Sequence, residues 1–235
     1  MAWPGRMKRC DGYMVERGCT SVEGSTSISR AMQKRQTRGR IEDAALRLIA
    51  DGCGFSGLGL RQVTREAGLT PAAFYRHFPD MDSLGLALVS RGGHTLRRLL
   101  RQVRRDGIPP DRMLRASVQI FFDYVLDHRV IFAFIAGERN GGSVVIRQAI
   151  RAEEARFVEE MAVDLTALET LPHLGESSMQ TLCRLVVTSM FNAAADVTDL
   201  PDGDVSASQA LADEWLRQLR LIFIGARHWR ESRSW

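Results

Sequence analysis

The chain has 235 residues, 45% hydrophobic and 26% charged, with a formal net charge of +4 and a pI of about 9.2. This is the composition of an ordinary soluble globular protein, long enough for one large or two small domains, and its basic balance favours polyanions over acidic proteins as partners. No run reaches the roughly 18 apolar residues of a membrane span, and the opening MAWPGRMKRCDGYMVERGC has no apolar signal core, so the expectation is a cytoplasmic protein with no membrane partner.

Cys10, Cys19, Cys53 and Cys183 form no Cys-x-x-Cys pair and have no neighbours at zinc-ligand spacing, which predicts reduced thiols and no metal site. Residues 1–36 carry no sustained helical or strand period. Two readings stay open for them: a disordered basic tail, or a translation start later than Met1, with Met7, Met14 and Met32 available. The stretch Gln33-Lys34-Arg35-Gln36-Thr37-Arg38 could also serve as an arm touching phosphates.

From Thr37 the pattern changes. Ile41, Ala44, Ala45, Leu48 and Ile49 recur at helical spacing and predict a first helix, stopped by Gly52 and Gly54. Leu60 to Ala67 predicts a second, short helix capped by Gly68. Thr70 followed by Pro71 is an N-cap and first-turn pair, which starts a third helix over Ala72 to Phe78, ended by Pro79. Two short helices around a Gly turn make a helix-turn-helix candidate. Phe74 and Phe78, four apart, should face Val63 and Ala67, leaving the other face free for display. Ala72 and Ala73 let the backbone approach a groove floor, and Arg61, Thr70, Pro71, Tyr75, Arg76 and His77 complete the expected DNA contacts. A Gly turn between short helices is also common in all-α proteins that bind no DNA.

The segment Thr70-Pro71-Ala72-Ala73-Phe74-Tyr75-Arg76-His77-Phe78, preceded by LRQVTREAGL, resembles the TetR family of bacterial transcription regulators, whose recognition segment reads Thr-x-x-x-x-Tyr-x-His-Phe. The resemblance covers about residues 37–100. Many members have a Lys three residues after the His-Phe pair; Met81 stands there, which removes one phosphate contact. LRQVTREAGLTPAAFYRHFPDMDSLGLALV is also similar to the FabR and DesT branch, repressors of unsaturated fatty acid synthesis, and weaker similarity continues through IFAFIAGERNGGSVVIRQAI. The implied fold is all-α: residues 37–100 as a three-helix DNA-binding domain with its connecting helix, and 101–235 as a helical ligand-binding and dimerisation domain.

Over that second half, four amphipathic helices are legible around Leu114–Leu126, Val145–Met161, Met179–Met190 and Leu211–Ala226. An aromatic and Met-rich stripe is ordinary core in most proteins; the resemblance implies instead an acyl chain held between the helices, with Phe121, Phe122, Phe132, Phe134 and Phe157 as lining and Arg139 and Arg147 at the mouth. The run Arg97, Arg98, Arg101, Arg104, Arg105 reads either as a solvated helix face or as a second phosphate site. The last two helices would pair with a second copy, and a homodimer on a palindromic operator follows, since two recognition helices must stand about 34–36 Å apart.

The implied function is a repressor of fatty acid desaturation or unsaturated fatty acid synthesis genes. It would have no cofactor and would sense long-chain acyl-CoA, which shifts the helix over residues 81–105. In the resembled branch unsaturated chains favour repression and saturated ones oppose it. A TetR-type repressor of another hydrophobic molecule, such as a drug or signalling lipid, is one alternative. A helical acyl-group enzyme or carrier is another, but no Gly-x-Ser-x-Gly elbow, P-loop or catalytic set is present in the sequence.

Overall fold

Apolar residues at three- and four-residue spacing become helices along the chain, and no strand occurs among the described residues. The computed structural model describes residues 23–201 and 203–230. The readings made for residues 1–22, including Cys10 and Cys19, lie outside them. Two units divide between Thr37 and Arg38. In the first, residues 29–36 are exposed and Thr37 Oγ1 donates to the Gln33 carbonyl at 2.9 Å. These residues are helical, so the first helix begins well before Thr37: α1 spans Glu23–Ala50.

The second unit begins within α1, whose Ile41, Ala44 and Ala45 are fully buried. A 3-10 turn at Phe55–Gly57 is followed by α2 (Leu60–Glu66), α3 (Pro71–Tyr75) and α4 (Met81–Arg105). Next come α5 (Pro110–Asp127), α6 (Arg129–Glu138), α7 (Val144–Ala167), α8 (Glu176–Thr198) and α9 (Val205–His228). Where the sequence pattern shows four helices in this half, the structure has five among the described residues. α6 follows α5 after a single residue, His128, and its run Val130–Ala136 is apolar throughout, so it shows no amphipathic period by which to be recognised.

α4 organises the unit. Leu84, Leu88, Val89, Leu96, Leu100 and Val103 bury one face of it, most extensively against α7 and also against α5 and α6. α8 packs on α6 and α7, and α9 closes the bundle over α5 and α8. The starts of α4, α7 and α9 are each secured by a short polar side chain: Asp80 accepts from the Ser83 amide at 2.7 Å, Ser143 from Ile146 at 3.3 Å and Asp204 from Ala207 at 2.9 Å. The core aromatics meet at Trp215, whose ring lies 4.7 Å from Phe121 and 5.9 Å from Phe122 while Nε1 donates to Ser189 Oγ at 2.7 Å.

Two glycines on α4 mark unusually close packing. A Cβ at Gly85 would stand 2.6 Å from Ile146 Cδ1, and one at Gly92 would stand 2.6 Å from Ile131 Cγ2. A side chain at Gly85 would force Ile146 and Phe55 to shift, and one at Gly92 would force Ile131 and Ile135 to do so.

Candidate functional site

The recognition unit is built from α2, α3 and the arginines of α1. Gly68, at φ +63°, takes the left-handed conformation that ends α2, and the Leu69 amide then donates to the Thr64 carbonyl at 2.8 Å. Arg40 donates to the Ala67 carbonyl at 2.8 Å, and Arg47 pairs with Glu66 at 2.6 Å, so α1 holds the end of α2. Thr70 caps α3 by accepting from the Ala73 amide at 3.2 Å, with Pro71 in the first turn.

α3 is shorter than the sequence pattern predicts. Its helix stops at Tyr75, and the His77 and Phe78 amides both turn back to the Phe74 carbonyl, at 2.8 and 3.0 Å. Pro79 disfavours helical backbone at Phe78, so the last residues of the segment form a tight turn. A five-residue helix has no stability of its own. It stands because Phe74 and Phe78 are fully buried with ring centroids 5.7 Å apart, and because Arg38 clamps the turn. The Arg38 guanidinium lies 4.1 Å above the Phe78 ring and donates to the His77 carbonyl at 3.1 Å. On the outer side Arg61, Thr70, Pro71, Ala72, Tyr75 and Arg76 are exposed, and Ala73 and His77 are half-buried. The unit thus exposes the polar side chains of Arg61, Thr70, Tyr75 and Arg76 together with the small apolar residues Pro71 and Ala72.

Behind it, the unit is locked to the bundle at three places. Phe55 and Phe134 meet edge to face at 5.1 Å; Ser143 Oγ donates to Asp82 Oδ1 at 3.1 Å; and Ser56 Oγ approaches the buried Glu138 at 3.5 Å. Phe134 therefore belongs to this junction.

The bundle encloses an apolar cavity of about 270 Å³ between α4, α5, α7, α8 and α9. Phe121 and Phe157 line it, together with Met113, Met190 and Trp215. Phe122 lies behind Trp215, and Phe132 borders a separate void of about 10 Å³ that shares Phe121, Phe157 and Met190 with the main cavity. Arg139 and Arg147 stand elsewhere: Arg139 pairs with Glu154 at 2.7 Å and Arg147 donates to the Gly141 carbonyl. The cationic groups that do reach the cavity wall are Arg104, Arg220 and Arg227. Arg220 and Arg227 were legible in principle as a seven-residue pair flanking Leu219, Phe223 and Ile224 on one face of α9.

The arginine run on α4 is neither a solvated face nor an open phosphate site. Arg97 pairs with buried Glu153 and with Glu160 at 3.4 Å, while Asp164 receives Arg104 at 3.0 Å and Arg101 and Arg105 at 3.4 Å each. Of the run, Arg98 and Arg105 are exposed. Burial lowers the pKa of Arg104, opposed by its hydrogen bond and charge pairing with Asp164. Burial likewise pushes the neighbouring Cys183 thiol up to about 12, with Arg104 acting against it. Among the described residues, no cluster of three or more His, Cys, Asp or Glu could hold a metal, and no helix is long and apolar enough to cross a membrane.

Comparison with known proteins agrees with this geometry. A family model described as bacterial regulatory proteins, tetR family, matches residues 41–88, and one for the tetracyclin repressor-like C-terminal domain matches residues 110–225. Among solved structures, the fatty acid degradation regulator FadR from Bacillus halodurans is similar at a TM-score of 0.63 and 12% identity, over 78% of this chain and 96% of that one. FadR from Bacillus subtilis, in complex with stearoyl-CoA, gives 0.62 and 15% over 77% and 96%. AibR, in complex with isovaleryl coenzyme A and operator DNA, gives 0.57 and 18% over 78% and 97%. With its helix-turn-helix unit, its helical C-terminal domain and both family matches, the chain belongs to the TetR family of DNA-binding transcriptional regulators.

Proposed function

We propose that this regulator is a homodimeric repressor that senses an acyl group, as its thioester with coenzyme A, and controls genes of fatty acid desaturation or unsaturated fatty acid synthesis. The observation that carries the reading is the apolar cavity whose wall includes Leu100 and Arg104, at the far end of the same helix that begins beside the recognition unit. An alkyl chain buried there gains about 0.8 kcal/mol per methylene, so a mostly apolar wall selects chains by length and bend. The coenzyme A complexes of FadR and AibR lend the reading support from similar folds. The division into a DNA-binding part over residues 37–100 and a ligand-binding part over 101–235 belongs to the same proposal.

In this mechanism the ligand selects one of two positions of α4, and α4 carries the recognition unit with it through Arg91, which pairs with Glu42 and Asp43 of α1, the helix whose Arg40 and Arg47 hold α2. Two copies are needed to present two recognition helices to successive major-groove faces. Exposed Leu185 on α8 and Leu221 on α9 are apolar residues outside the cavity wall available for pairing. On this reading Arg61, Thr70, Tyr75, Arg76 and His77 position the protein on the phosphates, while Pro71, Ala72 and Ala73 meet the bases.

The test is fluorescence-anisotropy titration of duplex DNA from upstream of the protein's own gene and of neighbouring fatty acid genes, with and without palmitoyl-CoA and oleoyl-CoA. Specific binding that differs between the two thioesters supports acyl sensing, with oleoyl-CoA expected to tighten and palmitoyl-CoA to loosen it. Identical curves would leave the DNA reading and transfer the cavity to another hydrophobic ligand.

A further inference from the structure

We infer that Arg220 and Arg227 form the specificity element of the cavity, and that the ligand is an amphipathic anion whose charged end sits against α9. The inference rests on the reading of the cavity as a ligand site and assigns the part of the ligand that the apolar wall cannot hold.

The wall is carbon-lined over most of its extent, and its cations gather at one end. Arg104 lies at the last turn of α4 and pairs with Asp164 near the end of α7, Arg220 and Arg227 lie on the last three turns of α9, and His173 Nε2, from the segment between α7 and α8, stands 2.9 Å from the Ala226 carbonyl of α9. The three arginines differ in one respect. Arg104 is already committed to Asp164 at 3.0 Å, whereas neither Arg220 nor Arg227 has a carboxylate within 4.0 Å among the described residues. Both are exposed. Seven positions apart, they lie on the same face of α9 about 10 Å from each other along the axis, on long side chains able to converge on one anion or to hold two.

A neutral apolar ligand would leave these two charges unused, and a cation would be repelled by all three. A chain ending in an anion satisfies both ends: its tail reaches Phe121, Phe157 and Trp215, and its head meets a guanidinium fork. Carboxylate and phosphate share this chemistry, so the head belongs either to a free fatty acid or to the phosphates of a coenzyme A thioester. Arg227 also stands at a helix C-terminus, where a cation stabilises the helix with no ligand present.

Calorimetric titration of the full-length protein with dodecanol, dodecanoate and dodecanoyl-CoA separates these roles. The wild type should bind at least one of the two anions tenfold or more tightly than dodecanol. Arg220→Ala/Arg227→Ala should abolish that preference while leaving dodecanol affinity within about twofold, and Arg98→Ala, an exposed arginine outside the cavity, should preserve it. Preference for dodecanoyl-CoA over dodecanoate identifies the phosphates as the head; the reverse identifies the carboxylate. Equal binding of dodecanol and both anions overturns the anion site but keeps the cavity, as does a double variant that loses thermal stability with unchanged preference. Failure of all three to bind the wild type overturns the cavity reading and this inference together.

Discussion

Removing the carboxylate of Asp164 strands a charge, and the cost can be worked from the three arginines around it. The Asp164 side chain is 3% exposed, and its partners are unequal: Arg105 is 60% exposed, Arg101 35% and Arg104 11%. In Asp164→Ala the first two side chains turn to water at little cost, because ion pairs that are partly solvated contribute about 0–1 kcal/mol each. Arg104 cannot do so, and a buried ion left without its partner costs about 3–5 kcal/mol. For a chain of this size 1 kcal/mol moves Tm by roughly 2–4 °C, so the substitution should lower Tm by about 6–20 °C. The assay is urea and thermal unfolding at fixed protein concentration, since association shifts apparent stability. Asp43→Ala serves as comparison: Asp43 meets Arg91 at 2.7 Å with both side chains over 40% exposed, and its loss should cost under about 1 kcal/mol. Adding Arg104→Met to Asp164→Ala should restore most of the stability by removing the stranded charge. A double variant no more stable than Asp164→Ala, or an Asp164→Ala within 1 kcal/mol of wild type, would refute the reasoning.

Thr70→Ala removes the α3 cap and should cost about 0.5–2 kcal/mol, seen as a lower urea midpoint and weaker operator binding. Tyr75→Phe should weaken binding to all DNA sequences alike, whereas Ala72→Ser should change sequence preference; anisotropy on operator and scrambled duplexes distinguishes them. Cys183 should resist thiol reagents in the native protein while half-buried Cys53 reacts, as peptide mapping after alkylation will show. Because folding raises the Cys183 pKa from 9.0 to about 12, its contribution to stability is complete below pH 9 and is lost as pH rises through 12. Phe157→Ala should join the main cavity to the small void beside it, cost about 3–5 kcal/mol in unfolding experiments, and shift ligand preference toward longer chains. An unchanged chain-length profile would mean that Phe157 does not limit the ligand.

The recognition unit was legible because its signals are local. Thr70, Pro71, Gly68 and Pro79 each act on backbone within a few residues, and the Phe74–Phe78 spacing declares the buried side. The end of α3 was misjudged by three residues, since Phe78 is buried from a turn as well as it would be from a helix. The ligand half was legible only as helices. On α7, Glu153 and Asp164 are buried among Ile150, Phe157 and Leu165, so the polar residues that would mark the outer face occur on the inner one. That is also why the α4 arginines gave two readings in the sequence: their partners lie some 60 residues away. The aromatic stripe could not tell Phe121, which lines the cavity, from Phe122 one residue on, because both are buried and the difference depends on where Trp215 comes to rest.

Gly85 and Gly92 stand two turns apart on α4, where Ile146 and Ile131 press against bare backbone. At these points the helix has no knob to lodge in a neighbouring hole. Lifting α4 off its bed would open voids, tilting it would drive backbone into methyl groups, and sliding it along its own axis would pull Arg97 and Arg104 from Glu153 and Asp164 of α7. The end that touches the cavity at Arg104 lies about 33 Å of helix from Asp82, at 1.5 Å per residue. α4 is thereby keyed to its neighbours along its length, so that whatever displaces one end of it has to carry Ile131 of α6 and Ile146 of α7 along.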